Sequence, residues 1–356
     1  MSATSKSTSR RIRLARWMTP WAGFWARTET GESLALIRIL VPLVMLYDLA
    51  EAAVRGLVVA LWAPIEEGGI GPASYADPLC AFYAWFGASA AGAWTLFALA
   101  FTAAITLVFG LFTRTSALVL LFSYAQLGQL SPDADRGIDT LLRNVLVLLA
   151  LSGAGATLSL DARRATGRFV NDRLILAFPR YLIIVQLVLL YFFAGVLKQS
   201  ANWSYEGGYA ALFLILHKPH FASILFPHAW LVRAYPLIQA GTLATVVWER
   251  AALLLPALLY WRATADRPGR IRRFANRLHL LELWIATGVF FHLALAVLLA
   301  LGMFPWGCLA LYPALAAPRT WRRWYVALMA RLGWNGRDDS VAPVHRTAPA
   351  DAGFAD

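Results

Sequence analysis

The chain has 356 residues, of which 59% are hydrophobic and 15% charged, and its mean hydropathy is +0.58. This composition is typical of an integral membrane protein and excludes a soluble globular domain. The net charge of +12 does not indicate a nucleic-acid-binding protein, because the arginines lie in clusters between apolar spans. We therefore expect the lipid bilayer as a partner and no nucleic acid.

The sequence also lacks the motifs of common metal and nucleotide sites. Two cysteines cannot make a disulfide framework or a metal finger, and no glycine-rich phosphate loop, CxxC pair or HExxH helix occurs. His217, His220 and His228 lie close together, but Pro219 interrupts the first pair and no carboxylate cluster accompanies them. We predict neither a metal nor a nucleotide.

The predicted elements divide the chain into three regions. Residues 1–32 form a basic cytoplasmic tail with an interfacial segment, residues 33–318 a transmembrane domain, and residues 319–356 a largely disordered cytoplasmic tail. Most of the apolar spans approach the ~20 residues needed to cross a bilayer. The spans lie near residues 34–61, 88–112, 115–131, 139–157, 178–198, 237–261, 280–301 and 304–318. The predicted fold is an all-α, polytopic transmembrane helix bundle with about eight spans.

The loops between the spans alternate in charge. The 62–87 loop has three acidic residues and no basic one, whereas the 158–180 and 262–279 loops have five and six arginines. With eight crossings, every basic loop falls on the cytoplasmic side, which predicts that both termini are cytoplasmic in an inner (plasma) membrane. Cys80 and Cys308 then lie on the outer side, where a disulfide can form, and two unpaired buried thiols are an equally good explanation.

Ionisable residues inside the first and fourth spans predict local ion pairs. Such residues are costly in lipid and usually face the bundle interior. Glu51 follows Asp48 by three residues and precedes Arg55 by four, which is the spacing of side chains that can pair along one helix face. Asp139 and Arg143 are four apart and predict a second pair. A polar outer mouth built from these residues would also suit a substrate entrance.

Two further ionisable residues lie near the middle of later spans. Glu249 is adjacent to Arg250, and because adjacent helical residues point about 100° apart, each is expected to pair with another helix. His292 is either a hydrogen-bonded packing residue or a functional group, and its position at the membrane midplane leaves both explanations open.

Residues 191–209, YFFAGVLKQSANWSYEGGY, end the fifth span. Lys198 is one of three lysines among 32 basic residues, and lysine, unlike arginine, can lose its proton in a dry site. It shares a helix face with Tyr191 and with the small residues Ala194 and Gly195, which let a neighbouring helix approach. A dry pocket there would favour a neutral amine that can act as a base. Snorkelling of the side chain to the interface explains the same position.

The polar end of this segment predicts irregular backbone. Trp203 and Tyr209 follow Lys198 closely, and Gly207 and Gly208 allow the chain to bend. Irregular backbone at membrane depth is tolerated where it lines a cavity. We therefore expect a re-entrant or mouth-lining segment after the fifth span.

The same segment resembles the central motif of the vitamin K-dependent gamma-carboxylases and of their bacterial relatives, the HTTM (horizontally transferred transmembrane) domain proteins. The family pattern is roughly Tyr-Phe-x-Ala-Gly-x-x-Lys, followed five residues after the lysine by Trp. The matching residues are Tyr191, Phe192, Ala194, Gly195, Lys198 and Trp203. Further matches in order, over about residues 33–318, are Gly208-Tyr209, His217, Ala240-Gly241, Arg250, Phe291-His292 and Gly302-Met303-Phe304.

The resemblance implies a quinol-dependent, epoxidase- or carboxylase-like enzyme of the bacterial inner membrane. In the family, the lysine matching Lys198 is the base that deprotonates a reduced quinone. The activated quinol then consumes oxygen, forms an epoxide and supplies the strong base for carboxylating a peptide glutamate. The cofactor implied here is a reduced quinone such as menaquinol, ubiquinol or a vitamin K-like quinol. The implied substrate pocket consists of Tyr191, Trp203, Tyr209, His217, Glu249 and His292.

Two departures weaken the implication of carboxylation. We expect no counterpart of the large propeptide-binding domain of animal carboxylases, and the histidine they carry before the fourth span has no counterpart in DADRGIDTLLRN. Some bacterial relatives are associated with maturation of exported peptide toxins. The alternative function is therefore a non-catalytic membrane factor for maturation or export of a secreted peptide.

Overall fold

The computed structural model of the protein describes residues 23, 25–71 and 81–331. The described part is mostly helical, as predicted, and two short strands pair in antiparallel fashion. The helices are α1 Glu32–Val54, α2 Leu57–Trp62, α3 Ala81–Phe86, α4 Ala90–Phe109, α5 Thr113–Leu130, α6 Gly137–Leu151, α7 Leu160–Thr166 and α8 Phe178–Leu197. They continue with α9 Ala211–Leu216, α10 His228–Arg233, α11 Tyr235–Ala251, α12 Leu255–Ala263, α13 Arg270–Arg277, α14 Leu280–Leu298, α15 Phe304–Leu309 and α16 Pro318–Arg331. The strands are β1 Thr28–Thr30 and β2 Leu174–Leu176.

Five helical segments of the described chain are long and apolar enough to cross a membrane. They are α1, α4, α8, the continuous segment Tyr235–Ala263 that contains α11 and α12, and α14. The predicted count of eight spans is not confirmed. Helix α5 does not belong to this set, α6 has only 15 residues, and Phe304–Leu315 is a shorter apolar segment.

Two of the predicted spans are interrupted at residues with special backbone chemistry. The first span ends at Val54, and Gly56 then takes a left-handed conformation with φ 68° before α2 begins. Glycine adopts this conformation without steric cost. The sixth span contains a 3-10 turn, Ala252–Leu254, that ends two residues before Pro256, which has no N–H for the helical hydrogen bond.

Contacts between connecting segments divide the bundle into two ends. At the first, which we call the strand end, β1 pairs with β2, and Asp161 accepts hydrogen bonds from the backbone N–H groups of Phe112 and Thr113. At the opposite end, which we call the lysine end, Ala222 forms an antiparallel bridge with Leu299. The large hydrophobic core lies between these two ends.

The charged residues of α1 are only partly paired as predicted. Arg55 pairs with Glu51 at 2.7 Å, which confirms the local pair. Asp48 instead accepts a hydrogen bond from Arg136 at 2.8 Å, across 88 residues of sequence.

The predicted pair of Asp139 with Arg143 is wrong. Asp139 is the third residue of α6 and accepts from the backbone N–H of Arg136, so its carboxylate caps the helix and pairs with the Arg136 guanidinium at 2.9 Å. Arg143 binds both oxygens of Asp135, at 2.7 and 2.6 Å. Gly128 permits this second pair, because a Cβ there would lie 2.7 Å from Nη1 of Arg143.

Helix α16 is an element that the sequence analysis does not predict. It packs against α1 and β1, and Trp321 donates a hydrogen bond to the carbonyl oxygen of Pro313 at 3.0 Å. The remainder of the predicted C-terminal tail and most of the predicted N-terminal tail lie outside the described residues.

Candidate functional site

Lys198 lies at the lysine end, directly after the last residue of α8. Helices α8 and α11 pack closely because Gly195 has no side chain. A Cβ at Gly195 would lie 2.9 Å from Cβ of Glu249 and 3.0 Å from the backbone nitrogen of Arg250. Arg250 also donates from Nε to the carbonyl oxygen of Gly195 at 3.1 Å. The predicted close helix approach beside Lys198 is therefore confirmed.

The Lys198 side chain turns toward α11. Its Nζ lies 2.7 Å from each carboxylate oxygen of Glu249 and 3.2 Å from the carbonyl oxygen of Ala194. An ammonium group has three donors, and these three acceptors match them. The Lys198 side chain is 20% exposed and that of Glu249 is 6% exposed. Lys198 thus forms an ion pair within the bundle, and the prediction that Glu249 pairs with another helix is confirmed.

Trp203 lies beside this pair on irregular backbone. Nζ of Lys198 is 5.1 Å from the centroid of the Trp203 ring, within the range of a cation–π contact. Two 3-10 turns follow α8, and Gly208 and Tyr209 are both left-handed, with φ 62° and 52°. Gln239 in α11 donates to the carbonyl oxygen of Gly208 at 2.6 Å and so holds this loop against the bundle.

A second cluster lies deeper in the bundle, around Tyr191 and His292. The Tyr191 hydroxyl is 2.7 Å from Nε2 of His292 and 3.3 Å from the Tyr312 hydroxyl. His292 is fully buried, and its Nδ1 has no hydrogen-bond partner among the described residues. In either tautomer, one polar ring atom is left unsatisfied, which costs about 1–3 kcal/mol.

A tryptophan pair connects the two clusters. Trp248 and Trp284 stack with ring centroids 4.9 Å apart, and each indole N–H donates to the backbone carbonyl of the other residue, at 3.0 and 3.3 Å. Trp248 directly precedes Glu249, and its ring centroid is 4.7 Å from that of Tyr191.

Sequence reasoning did not select Trp248, Trp284 or Tyr312. The position of Trp248 beside a charged residue of a span was an available signal. For Tyr312 no sequence signal pointed to the site, because its contact with Tyr191 spans 121 residues.

Two residues of the predicted pocket belong to neither cluster. His217 lies in the exposed loop after α9, where its Nε2 is 3.0 Å from Nδ1 of His228 and its Nδ1 is 2.8 Å from the carbonyl oxygen of Phe213. Tyr209 donates its backbone N–H to Ser204 at 3.0 Å. In the described part of the chain, neither side chain has a polar or ring contact with Lys198.

His217 and His228 are thus in contact with each other at this loop. Within residues 23, 25–71 and 81–331, no group of three or more His, Cys, Asp or Glu side chains is arranged to hold a metal ion. Cys308 is a buried free thiol. Its predicted possible partner, Cys80, lies outside the described residues.

The HTTM domain model matches residues 26–235, which is more than half of the chain. The chain belongs to the HTTM domain family. Together with the five apolar helical segments, this match identifies an integral membrane protein. No curated protein and no solved structure shows a significant match. The HTTM match includes Lys198 and Trp203 but ends before Glu249 and His292, so the fold completes both clusters with residues from beyond the matched region.

Proposed function

We propose that this HTTM protein is a membrane enzyme in which Lys198 and Glu249 exchange protons with a weakly acidic hydroxyl group of a lipid-soluble substrate. The observation that carries the proposal is the pair itself. Nζ of Lys198 lies 2.7 Å from both oxygens of a carboxylate that is 6% exposed, while the lysine remains 20% exposed. Intramembrane ionisable pairs of this kind often mark functional sites, and the exposed edge leaves the amine within reach of a substrate.

Glu249 allows Lys198 to act as the base. The ion pair of ammonium and carboxylate contains the same protons as a neutral pair of amine and carboxylic acid. One proton moving along the 2.7 Å hydrogen bond interconverts the two. Exclusion of water favours the neutral pair, because both charged partners lose hydration. The neutral amine of Lys198 then accepts the substrate's proton, and the resulting ammonium stabilises the oxyanion left behind.

The surroundings of Lys198 fit a reduced quinone. The Trp203 ring offers an aromatic face 5.1 Å from Nζ of Lys198. Helix α8, which ends directly before Lys198, has exposed apolar side chains at Phe193 and Leu197. A reduced quinone would supply the acidic hydroxyl group and, on oxidation by molecular oxygen, the epoxide chemistry that the family resemblance implies. Menaquinol, ubiquinol and vitamin K hydroquinone are the candidates.

We also propose an orientation in the inner membrane, with the strand end facing the cytoplasm and the lysine end facing outward. Both arginine-rich loops, 158–180 and 262–279, lie at the strand end, as does the arginine-bearing helix α16. This distribution follows the positive-inside rule, and it would place Lys198 on the non-cytoplasmic side.

The test is oxygen-dependent quinol oxidation and epoxidation by purified protein, with each of the three quinols. We expect Lys198→Ala to lower turnover roughly 10²- to 10⁴-fold, the usual contribution of a general base, and Lys198→Arg not to restore it. Lys218→Ala is the matched control, because Lys218 is an exposed lysine of the loop after α9. Equal rates for wild type and Lys198→Ala, or no turnover with any quinol, would refute the proposal.

One observation favours the alternative of a non-catalytic factor for a secreted peptide. All three donors of the Lys198 ammonium have acceptors, which also suits a purely structural ion pair. In that case Lys198→Ala would retain peptide maturation or export in cells, and purified protein would turn over no quinol.

A further inference from the structure

A large cavity at the lysine end lies apart from the Lys198 site. Its volume is about 970 Å³, and it opens between α1, the end of α5, the start of α6 and the segment before α15. Ser223 and Leu299, which belong to the bridged segments of the lysine end, line one side. Neither Lys198 nor Glu249 is a lining residue. The volume is at the upper end of that of small-molecule sites.

Among the described residues, four carboxylates of the lining are paired with three guanidinium groups, two in the lining and that of Arg143 behind it. Arg136 is shared by two acids, at 2.8 Å from Asp48 and 2.9 Å from Asp139. The Tyr124 hydroxyl lies 3.2 Å from Asp48 and 2.7 Å from Asp139, and its single proton can be donated to either acid without adding charge. The other charged lining residues are already paired, as Glu51 with Arg55 and Asp135 with Arg143. The described lining therefore has an excess negative charge at Asp48 and Asp139, which a cationic group placed there would balance.

Two polar groups of the lining have unused hydrogen-bonding capacity. Both hydrogen bonds of the Asp48 carboxylate end on Oδ2, so that Oδ1 has no partner within the described chain. Ser131 is 4% exposed, and its Oγ has no hydrogen-bond partner there either. A buried hydroxyl without a partner costs about 1–3 kcal/mol and is rare in native structures. Both residues line the cavity, so N–H donors of a ligand bound there can reach acceptors on this wall.

The rest of the lining indicates which kind of molecule would carry the cationic group. Apolar and aromatic side chains cover much of the wall, among them Leu127, Leu190, Phe304 and Trp306. Arg55 stands at the cavity with 66% of its side chain exposed, where it can meet an anion. The cavity also lies at the ends of helices that are long and apolar enough to span a membrane, where lipid headgroups are expected. A cation, an adjacent anion and apolar chains are the three parts of a zwitterionic aminophospholipid.

We propose that this cavity binds the headgroup of an aminophospholipid with a primary ammonium, with the ammonium at Asp48 and Ser131 and the phosphate toward Arg55. A primary ammonium has three N–H donors, whereas the quaternary ammonium of choline has none. The site therefore discriminates ethanolamine from choline headgroups. Its chemistry is independent of the function of Lys198.

The test is competitive lipid retention, measured by native mass spectrometry of protein purified in micelles with equimolar dioleoyl phosphatidylethanolamine, phosphatidylcholine and phosphatidylglycerol. We expect wild type to retain the ethanolamine lipid roughly tenfold over the choline lipid, as for one or two charged hydrogen bonds. Asp48→Asn should abolish this preference. Asp266→Asn, which removes an exposed carboxylate at the strand end, should keep it.

A second series keeps the test decisive if Asp48→Asn does not fold. Wild type is offered ethanolamine lipids with zero to three N-methyl groups, and retention should fall with each methyl group. Equal retention across this series, or an unchanged preference in folded Asp48→Asn, overturns the proposal. Displacement of the ethanolamine lipid by a soluble peptide with a free N-terminal amine, but not by its acetylated form, would also overturn it in favour of a peptide site.

Discussion

Arg38 at the strand end and Lys198 at the lysine end are two cations of the helix bundle that bind different kinds of acceptor. Arg38 is fully buried and donates to backbone carbonyl oxygens alone. These are the carbonyls of Leu107 and Val108, each at 2.7 Å, and of Leu158 at 2.5 Å. Lys198 is partly exposed and donates to both oxygens of the Glu249 carboxylate.

The difference in acceptors decides whether each cation can exchange a proton with its partner. A carbonyl oxygen does not accept a proton at ordinary pH and arginine does not release one, so the Arg38 cluster has a single protonation state. A carboxylate and an amine can exchange a proton, so the Lys198 pair has two. Arg38 connects α1 to the end of α4 and to the loop before α7. Gly110 allows this, since a Cβ there would lie 2.6 Å from Nη1 of Arg38.

The largest effect on stability is expected for substitution of Arg38. Arg38→Met removes the guanidinium donors from three carbonyl oxygens near the strand end and should lower the free energy of unfolding by about 3–5 kcal/mol. Thermal unfolding in detergent measures this. Arg114→Met is the control, because Arg114 is exposed. Equal stability of the two variants would show that the Arg38 hydrogen bonds are not needed for folding.

The second effect concerns the ion pair of Lys198 with Glu249. Glu249→Gln leaves a mostly buried ammonium without its counter-ion and should cost about 2–4 kcal/mol. The double variant Lys198→Met/Glu249→Gln should be less destabilised than the sum of the single variants, with a coupling of about 1–3 kcal/mol. A double-mutant cycle of unfolding free energies checks this. Additive values would mean that the two residues do not interact in the folded protein.

The third effect tests the helix approach that brings the pair together. Gly195→Ala places a Cβ within 3.0 Å of the α11 backbone, and we expect it to destabilise the protein by about 1–3 kcal/mol. Gly241→Ala is matched, because Gly241 lies inside α11 with its nearest neighbour 3.4 Å from the added Cβ. There the higher helix propensity of alanine should leave stability unchanged or raise it by up to about 1 kcal/mol. Unfolding curves that do not separate the two variants would contradict the close packing.

The smallest effect is expected for the local pair on α1. Glu51 and Arg55 pair at 2.7 Å but are 34% and 66% exposed. Exposed pairs four residues apart contribute about 0.3–0.5 kcal/mol, so Glu51→Gln should shift the unfolding free energy by no more than that. A loss above about 1 kcal/mol would show that this carboxylate has a further partner.

Local properties of the sequence sufficed for the membrane class, the apolar helices, the irregular segment after Lys198 and the Glu51–Arg55 pair. Hydropathy, helical spacing and glycine placement act over a few residues and can be recognised without a fold. The same reasoning was wrong for Asp139 and Arg143. Two residues at helical spacing do not pair with each other when other residues offer each of them a partner with better geometry. It also found no helix at residues 318–331.

Only the tertiary structure decided which residues meet across helices. The rotation and approach of α8 and α11 choose Glu249 as the partner of Lys198, and those of α8 and α14 bring His292 to Tyr191. These contacts span 51 and 101 residues, and no local pattern records how two helices are rotated against each other. The sequence by itself therefore identified Lys198 as a residue that needs an explanation, and the packing of the helices supplied its partner.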